Sequence, residues 1–338
     1  MAIQNLDKNI HNLLFKSMKL KKEQVVLVMY DTECALTLAL KNAYAKSLEG
    51  YQAELVDFAL HTEEEWKEIL FKLKKNDVVV LIQSTSFRIS SYRIRLNLNN
   101  NGVYCIEHVR LLYIKEDEQQ TYVDALTYDQ DYYELVSTFL MEKLKQCKKV
   151  TIVSTDDSEL IYDTKMDQPK RNMVDFSEAK GTLLPVGEVF TEPVELNKVN
   201  GTMLVHGFPT LEHKTHIVRP FKVEVKDGCI ISHEGPEEFE DLMNLLRTEN
   251  EDRRVPMREM GFGMNRFISK IKPLYDISAH ERQIGYHVSL GLKHNVYRKK
   301  VPKTKVQKFH IDLFVDVQKI YMDNTIVFDN GEYILTNL

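Results

Sequence analysis

Four short strand-like runs, spaced by stretches of helical periodicity, constrain the first half of this chain more than anything else in it. They are Val25–Tyr30, Ala53–Phe58, Val78–Gln83 and Val103–Glu107. Between them, 33–48 and 63–74 read as helices, the second with Trp66, Ile69, Leu70 and Leu73 turned inward. A further helix is expected over 5–20 and another over about 88–98. Runs such as Val78–Gln83 are apolar without alternation, as in strands buried on both faces, and strand–helix–strand order at this spacing builds parallel βαβ units. With a helix at about 130–146 leading into Val150–Val153, residues 1–155 read as an α/β domain: a mostly parallel sheet with flanking helices. From 156 to 338 glycines, prolines and short alternating runs take over, as in Thr202–Val205, Ile217–Val225 and Gly228–Ser232, with strands returning around 284–291, 309–317 and 325–335. This half reads as a β-rich α+β domain interrupted by one helix at about 236–248. Val327–Tyr333 has the form of a hairpin, with Asn330-Gly331 at its turn.

At 338 residues the chain has room for two domains. Its net charge of −5 argues against a nucleic-acid partner, which asks for a positive field. One local basic patch, Arg298–Lys300 with Lys303 and Lys305, is the exception. The four cysteines, Cys34, Cys105, Cys147 and Cys229, are far apart and form no CxxC pair, so neither a zinc ribbon nor a disulfide framework is indicated. A reduced, cytoplasmic setting follows. No secretory signal and no membrane-length apolar run is present, so no membrane is expected. The Ser-rich segment Ser84–Ser91 falls at a strand's carboxyl end, where open α/β sheets bind ligands, but it lacks the glycine pattern of a phosphate loop.

The chemistry concentrates in the second half. In the run 308–316, His310 and Asp312 are two residues apart; on a strand such positions share a face, so an imidazole and a carboxylate aim at one point. Three other segments stand with this one: 184–191 (LPVGEVFT) carrying Glu188, 259–265 (EMGFGMN) opening on Glu259, and 285–291 (GYHVSLG) carrying His287. Singly each has a plain reading, as a surface strand residue, the start of a loop, or a satisfied interior histidine. Together two Glu, two His and one Asp supply donors of the types that first-row divalent cations accept. Glycines beside Glu188, Glu259 and His287 let backbone approach closely. His213 and His216, with His206 nearby, form a weaker cluster on loop spacing.

In this order the four segments resemble the M29 metallo-aminopeptidases, the aminopeptidase T and aminopeptidase S group. The family pattern is similar to L-P-x-G-E-V-F-x-x-P, E-x-G-x-G-x-N, G-x-x-H-x-x-x-G and H-x-D. The chain carries the first (with Pro193), second and fourth as written; in the third, Gly285 lies one residue nearer the histidine. The resemblance covers about 180–335. It implies a two-metal exopeptidase, a homodimer that removes N-terminal residues from peptides with divalent ions (Zn, Co or Mn). Glu188, Glu259, His287, His310 and Asp312 would be the metal ligands, Glu281 a sixth donor and Glu259 a proton relay. Seven residues after His287, where those peptidases have Tyr, this chain has His294, a candidate catalytic hydrogen-bond donor. The chain also resembles shorter relatives similar to 2,5-dihydroxypyridine 5,6-dioxygenase. That resemblance implies a mononuclear non-haem Fe(II) site of His287, His310 and Asp312, acting in ring cleavage or natural-product tailoring.

Overall fold

The structure, a computed structural model, describes residues 3–90, 92–174, 176, 181–212, 214–248, 252–294, 296–297 and 308–335. His213 and the basic patch at 298–305 lie outside the described residues.

Along the chain the α-helices of seven residues or more are α1 (Leu6–Asn12), α2 (Ala35–Ser47), α3 (Glu63–Phe71), α4 (Ile94–Asn100), α5 (Gln119–Ala125), α6 (Gln130–Gln146) and α7 (Glu237–Thr248). The strands of the first half are β1 (Val25–Tyr30), β2 (Gln52–Asp57), β3 (Val78–Ile82), β4 (Tyr104–His108), β5 (Val150–Ser154), β6 (Glu159–Tyr162) and β7 (Lys170–Asn172). They continue as β8 (Gly181–Leu184), β9 (Glu188–Thr191), β10 (Val199–Pro209), β11 (Thr215–Lys226), β12 (Cys229–His233) and β13 (Val255–Gly263). The last are β14 (Gly285–Gly291), β15 (His310–Val315), β16 (Val317–Met322), β17 (Thr325–Asp329) and β18 (Glu332–Tyr333).

One compact unit comprises residues 1–130, 172–186 and 274–279. Its sheet runs β2-β1-β3-β4-β8, and every neighbouring pair is parallel. β3 is buried at all of its positions, as its unbroken valine-rich sequence requires. Trp66 and Leu70 of α3 pack with Leu27, Met29, Val79 and Leu81 in one cluster. The Trp66 indole N–H donates to the Phe58 carbonyl at 2.9 Å, so its polar atom is satisfied inside the core. Thr62 and Glu65 cap the start of α3 reciprocally. Two helix expectations change. The helix expected over 5–20 is α1 followed by a π-helical turn at Leu13–Ser17. The helix expected from 88 begins only at Ile94, because Ser90 takes a positive φ and Ile89 bridges to Tyr92.

The other unit comprises residues 131–171, 187–273 and 280–338. Six of its strands close on themselves in the order β11-β12-β13-β14-β15-β10, with β10 pairing back to β11. The strand at 150–153, read from sequence with the α/β half, is β5 and pairs antiparallel with β6 and β16. Its burial alternates residue by residue, the signature of an antiparallel strand with one covered face. α7 buries Phe239, Leu242, Met243 and Leu246. The 327–333 hairpin forms as expected: Asn330 and Gly331 both take positive φ between β17 and β18, as a two-residue turn of this hand demands. An α/β unit with a parallel sheet and a β-rich unit are thus both present. No described helix is long and apolar enough to cross a membrane.

Candidate metal centre

The five candidate ligands come from four neighbouring strands, β9, β13, β14 and β15, and strand register explains why they meet. Glu188 lies opposite Gly263 on the β9–β13 pair. His287 lies opposite Gly261 on β13–β14. Asp312 lies opposite Ser289, and His310 opposite Gly291, on β14–β15. Side chains of directly opposed residues share a face, and so do positions two apart on one strand. Gly261, Gly263, Glu259, His287, Ser289, His310, Asp312 and Glu188 therefore all belong to one face of the sheet. Gly261 is required there: a Cβ at that position would lie 2.0 Å from His287 Nε2.

The donor atoms form two sets. One ligand atom from each of Glu188, Glu259 and His287 lies within 4.8 Å of the other two, and the same holds for Glu259, His310 and Asp312. Glu259 belongs to both. The His310–Asp312 pair meets as its spacing predicts, with Nε2 and Oδ1 3.1 Å apart. His310 Nδ1 faces the Leu292 carbonyl at 3.2 Å, and a bond to that carbonyl leaves Nε2 as the donor toward a cation. His287 Nε2 stands 3.1 Å from Glu188 Oε1. Apart from His310, which has an exposed edge, these residues are buried.

Among the described residues Glu259 Oε2 and His287 Nδ1 have no hydrogen-bond partner, and Asp312 Oδ1 and His287 Nε2 meet only the ion-pair partners just named. Leaving buried carboxylate oxygens unmatched is costly. Gathered on one face among His and carboxylate donors, they fit divalent cations.

The electrostatics are those of a crowded anionic site. Burial pushes the Glu259 carboxyl well above its usual range, and the Glu188 charge adds to it. Burial also acts upward on Glu188, but Arg282 and His287 outweigh it and hold that carboxyl below normal. Burial opposes the charge on His310, yet Asp312 and Glu259 raise it to about 10. His287 is likewise raised by Glu188 and Asp312 against the effect of burial. Asp312 is held low, chiefly by His310, despite its burial.

Two partners were not singled out from sequence. Arg282 is buried and spans two carboxylates, Glu188 Oε2 at 2.5 Å and Glu281 Oε1 at 2.7 Å. Ser289 Oγ accepts the Glu259 backbone N–H at 3.0 Å. Ser289 was within reach of the spacing rule, being two residues from His287 on an apolar strand. Nothing in the local sequence marks Arg282 apart from its adjacency to Glu281. Burial raises the Glu281 carboxyl to about 8 in spite of Arg282. His294 sits beside the site: its ring centre is 6.4 Å from that of His310 and 4.7 Å from that of Phe190. Its backbone N–H donates to the buried Glu192 carboxylate at 2.9 Å. Of the weaker histidine cluster, His206 is buried with Nδ1 unpartnered, while His216 packs at 5.2 Å against the Phe208 ring.

No family model matches this chain, and no curated protein matches its sequence. Solved structures do resemble it. A 2,5-dihydroxypyridine dioxygenase from Pseudomonas putida aligns with a TM-score of 0.65 at 14% identity, over 99% of this chain and 98% of that one. Wild-type AmpT from Thermus thermophilus aligns with a TM-score of 0.65 at 13% identity, over 98% and 99%. The likeness is one of fold. It extends over the full length of both chains, including the α/β half, where the motif resemblance was confined to strand order.

Proposed function

We propose that this chain is a metal-dependent hydrolase that removes N-terminal residues from peptides. The observation that carries this reading is the double membership of Glu259, which lies between a Glu188–His287 pair and a His310–Asp312 pair. A shared carboxylate flanked by two donor pairs suits two divalent cations side by side. Glu188 and His287 would hold one, His310 and Asp312 the other, and Glu259 would touch both. Bound there, such ions polarise a scissile carbonyl and lower the pKa of a coordinated water.

The chain's own groups have separate tasks in this scheme. Glu281 suits proton transfer better than Glu259, which is committed to both donor sets. Glu281, partly buried and held by Arg282 at 2.7 Å, would act in proton transfer to the leaving amine. Arg282 keeps Glu188 ionised and fixes Glu281. His294, whose ring centre is 6.4 Å from that of His310, would donate a hydrogen bond to the substrate carbonyl. The M29 resemblance, which also brings the homodimer, and the fold shared with AmpT support the reading.

A mononuclear Fe(II) oxygenase is the second reading, favoured by the fold shared with the dioxygenase. Its triad would be His287, His310 and Asp312. Among the described residues, however, His287 groups with Glu188 and Glu259 rather than with the other two.

Metal analysis of protein purified without chelator, alongside release of p-nitroaniline from Leu-p-nitroanilide, tests the proposal. The hydrolase reading expects about two divalent ions per chain, amide cleavage, and loss of about one ion in Glu188→Gln. One iron per chain with oxygen uptake, or unchanged stoichiometry in Glu188→Gln, would overturn it.

A further inference from the structure

Glu192 is the residue after β9, two beyond Phe190 and four beyond Glu188, the spacing of one strand face. It is only 1% exposed. A carboxylate at that depth is tolerated only with partners for its oxygens, and each oxygen has one. Oε2 meets the Lys293 ammonium at 2.9 Å, and Oε1 accepts the His294 backbone N–H at 2.9 Å. Both partners belong to the segment that leaves β14, the strand of His287. The backbone behind Glu192 is fixed too. Its carbonyl accepts the Asp167 N–H at 2.8 Å, and the Thr191 hydroxyl donates to the Asp167 carbonyl at 2.7 Å. One buried side chain thus ties the segment that carries His294 to the strand that carries Glu188.

The His294 ring lies against Phe190, with centres 4.7 Å apart. Its Nδ1 accepts the Val296 N–H at 3.3 Å, and a neutral imidazole that accepts at Nδ1 carries its proton on Nε2. Tyr297 backs both rings, 6.5 Å from Phe190 and 6.2 Å from His294, with its hydroxyl donating to the Gln168 carbonyl at 2.7 Å. Leu292, two residues before His294, still belongs to the sheet: its N–H donates to the Phe309 carbonyl at 2.6 Å, and its own carbonyl faces His310 Nδ1. His294 lies beyond that pairing, and there Glu192 takes its N–H. A simple ion pair would need only Lys293; the second oxygen goes to the amide beside the ring.

We propose that Glu192 is a positioning residue of the candidate metal centre. Through the His294 N–H it fixes where, and in which tautomer, the His294 ring stands beside the ligand His310. Its consequence for catalysis rests on the hydrolase reading, in which His294 donates to the substrate carbonyl; the placement of the ring does not. A misplacement of about 1 Å in such a group can lower the rate about a hundredfold.

Two double variants isolate the bond. E192M/K293M removes both charges together, a replacement that buried ion pairs often tolerate, and deprives the His294 N–H of its acceptor. E192Q/K293M has the same charge and similar bulk but keeps an acceptor. NMR of the chelated full chain, labelled with 15N at histidine and held at about pH 8, above the ordinary imidazole value, reads the ring, and H294A identifies its signals. Wild type and E192Q/K293M are expected to show two separated ring nitrogens, one protonated and one bare. In E192M/K293M the two are expected to draw together as the tautomers exchange. With metal restored, E192M/K293M is expected to lose about ten- to a hundredfold in kcat on Leu-p-nitroanilide at unchanged KM, and E192Q/K293M to keep most of it. The triple variant with H294A is expected to fall no further than H294A alone, because the two changes act through one ring. The same ring signals in both double variants, or losses that multiply in the triple variant, would overturn the proposal. Should wild type release no p-nitroaniline, the hydrolase reading fails and the ring signals decide this one. Should circular dichroism show E192M/K293M unfolded, amide exchange in wild type decides: a His294 N–H slowed at least about a hundredfold relative to an open chain supports the proposal, and one exchanging as an open chain does overturns it.

Discussion

Arg282 and Glu259 face the same problem from opposite sides. Each is a buried group whose charge is tolerable only because of what surrounds it. Arg282 neutralises Glu188 and Glu281, so Arg282→Met leaves two buried carboxylates without their cation. Removing one partner of a buried ionic cluster typically costs about 3–5 kcal/mol. Urea unfolding in the presence of EDTA should report a loss of that size, and added divalent cation should restore part of it. Glu259→Gln predicts the opposite pattern. Burial already pushes the Glu259 carboxyl well up toward its neutral form, so the chelated protein should keep its thermal midpoint. What should vanish is the rise in midpoint on adding Zn²⁺ or Mn²⁺, because ligand stabilisation follows occupancy of the folded state. An undiminished cation-dependent rise in Glu259→Gln would remove this residue from the site. At this scale the sequence was readable wherever one rule sufficed: His310 and Asp312 meet because a strand has period two. It was silent on Arg282, whose partner Glu188 is 94 residues away.

Element by element, legibility followed the strength of the local pattern. The valine-rich run that became β3 and the Asn-Gly turn between β17 and β18 state their structure within a few residues. β13 does not. Its segment holds Pro256, Gly261 and Gly263 and breaks register between Met257 and Met260, all of which read as loop in an isolated window. Yet it is the strand on which the site turns, pairing with β9 along one edge and with β14 along the other. Its glycines are there because neighbouring groups need their space, a reason that appears only after folding. The hairpin and β13 are joined by one side chain: the Tyr333 hydroxyl donates to the Gly263 carbonyl at 2.7 Å, directly across from Glu188 in the β9 register. Tyr333→Phe should cost about 1 kcal/mol, the net worth of a hydrogen bond, read as a lower urea midpoint at unchanged slope. A cost near zero would mean that the hairpin does not brace the end of β13.

For the molecule as a whole, the response of stability to pH separates the metal centre from the rest of the fold. Three histidines are buried in neutral form: His108 is pushed down to about 3 and His206 to about 4, both by burial, and His280 is lowered well below its normal value. The unfolded chain protonates each near 6.5. Between that value and the folded one, the unfolded state binds a proton that the folded state refuses. Stability from these groups is therefore complete above about pH 6.5 and falls as the pH drops toward 3 or 4. His310 has the opposite sign: without a cation it is raised to about 10, so its contribution is complete below about 6.5 and is lost as the pH rises through 10. Cation binding at His310 alters the second effect but cannot touch His108, which lies in the α/β unit between the Tyr44 and Tyr122 hydroxyls, each at 2.9 Å. His108→Gln isolates the first effect. At pH 7 wild type should be the more stable, because the variant breaks that buried chain. By pH 5 the wild-type advantage should have shrunk by about 2 kcal/mol, the linkage expected over about 1.5 pH units at one proton per chain. Urea midpoints at the two pH values, with and without EDTA, measure it. The same shrinkage in both solutions would tie it to His108; a pH-independent gap would show that His108 takes up a proton in the folded chain as readily as in the unfolded one.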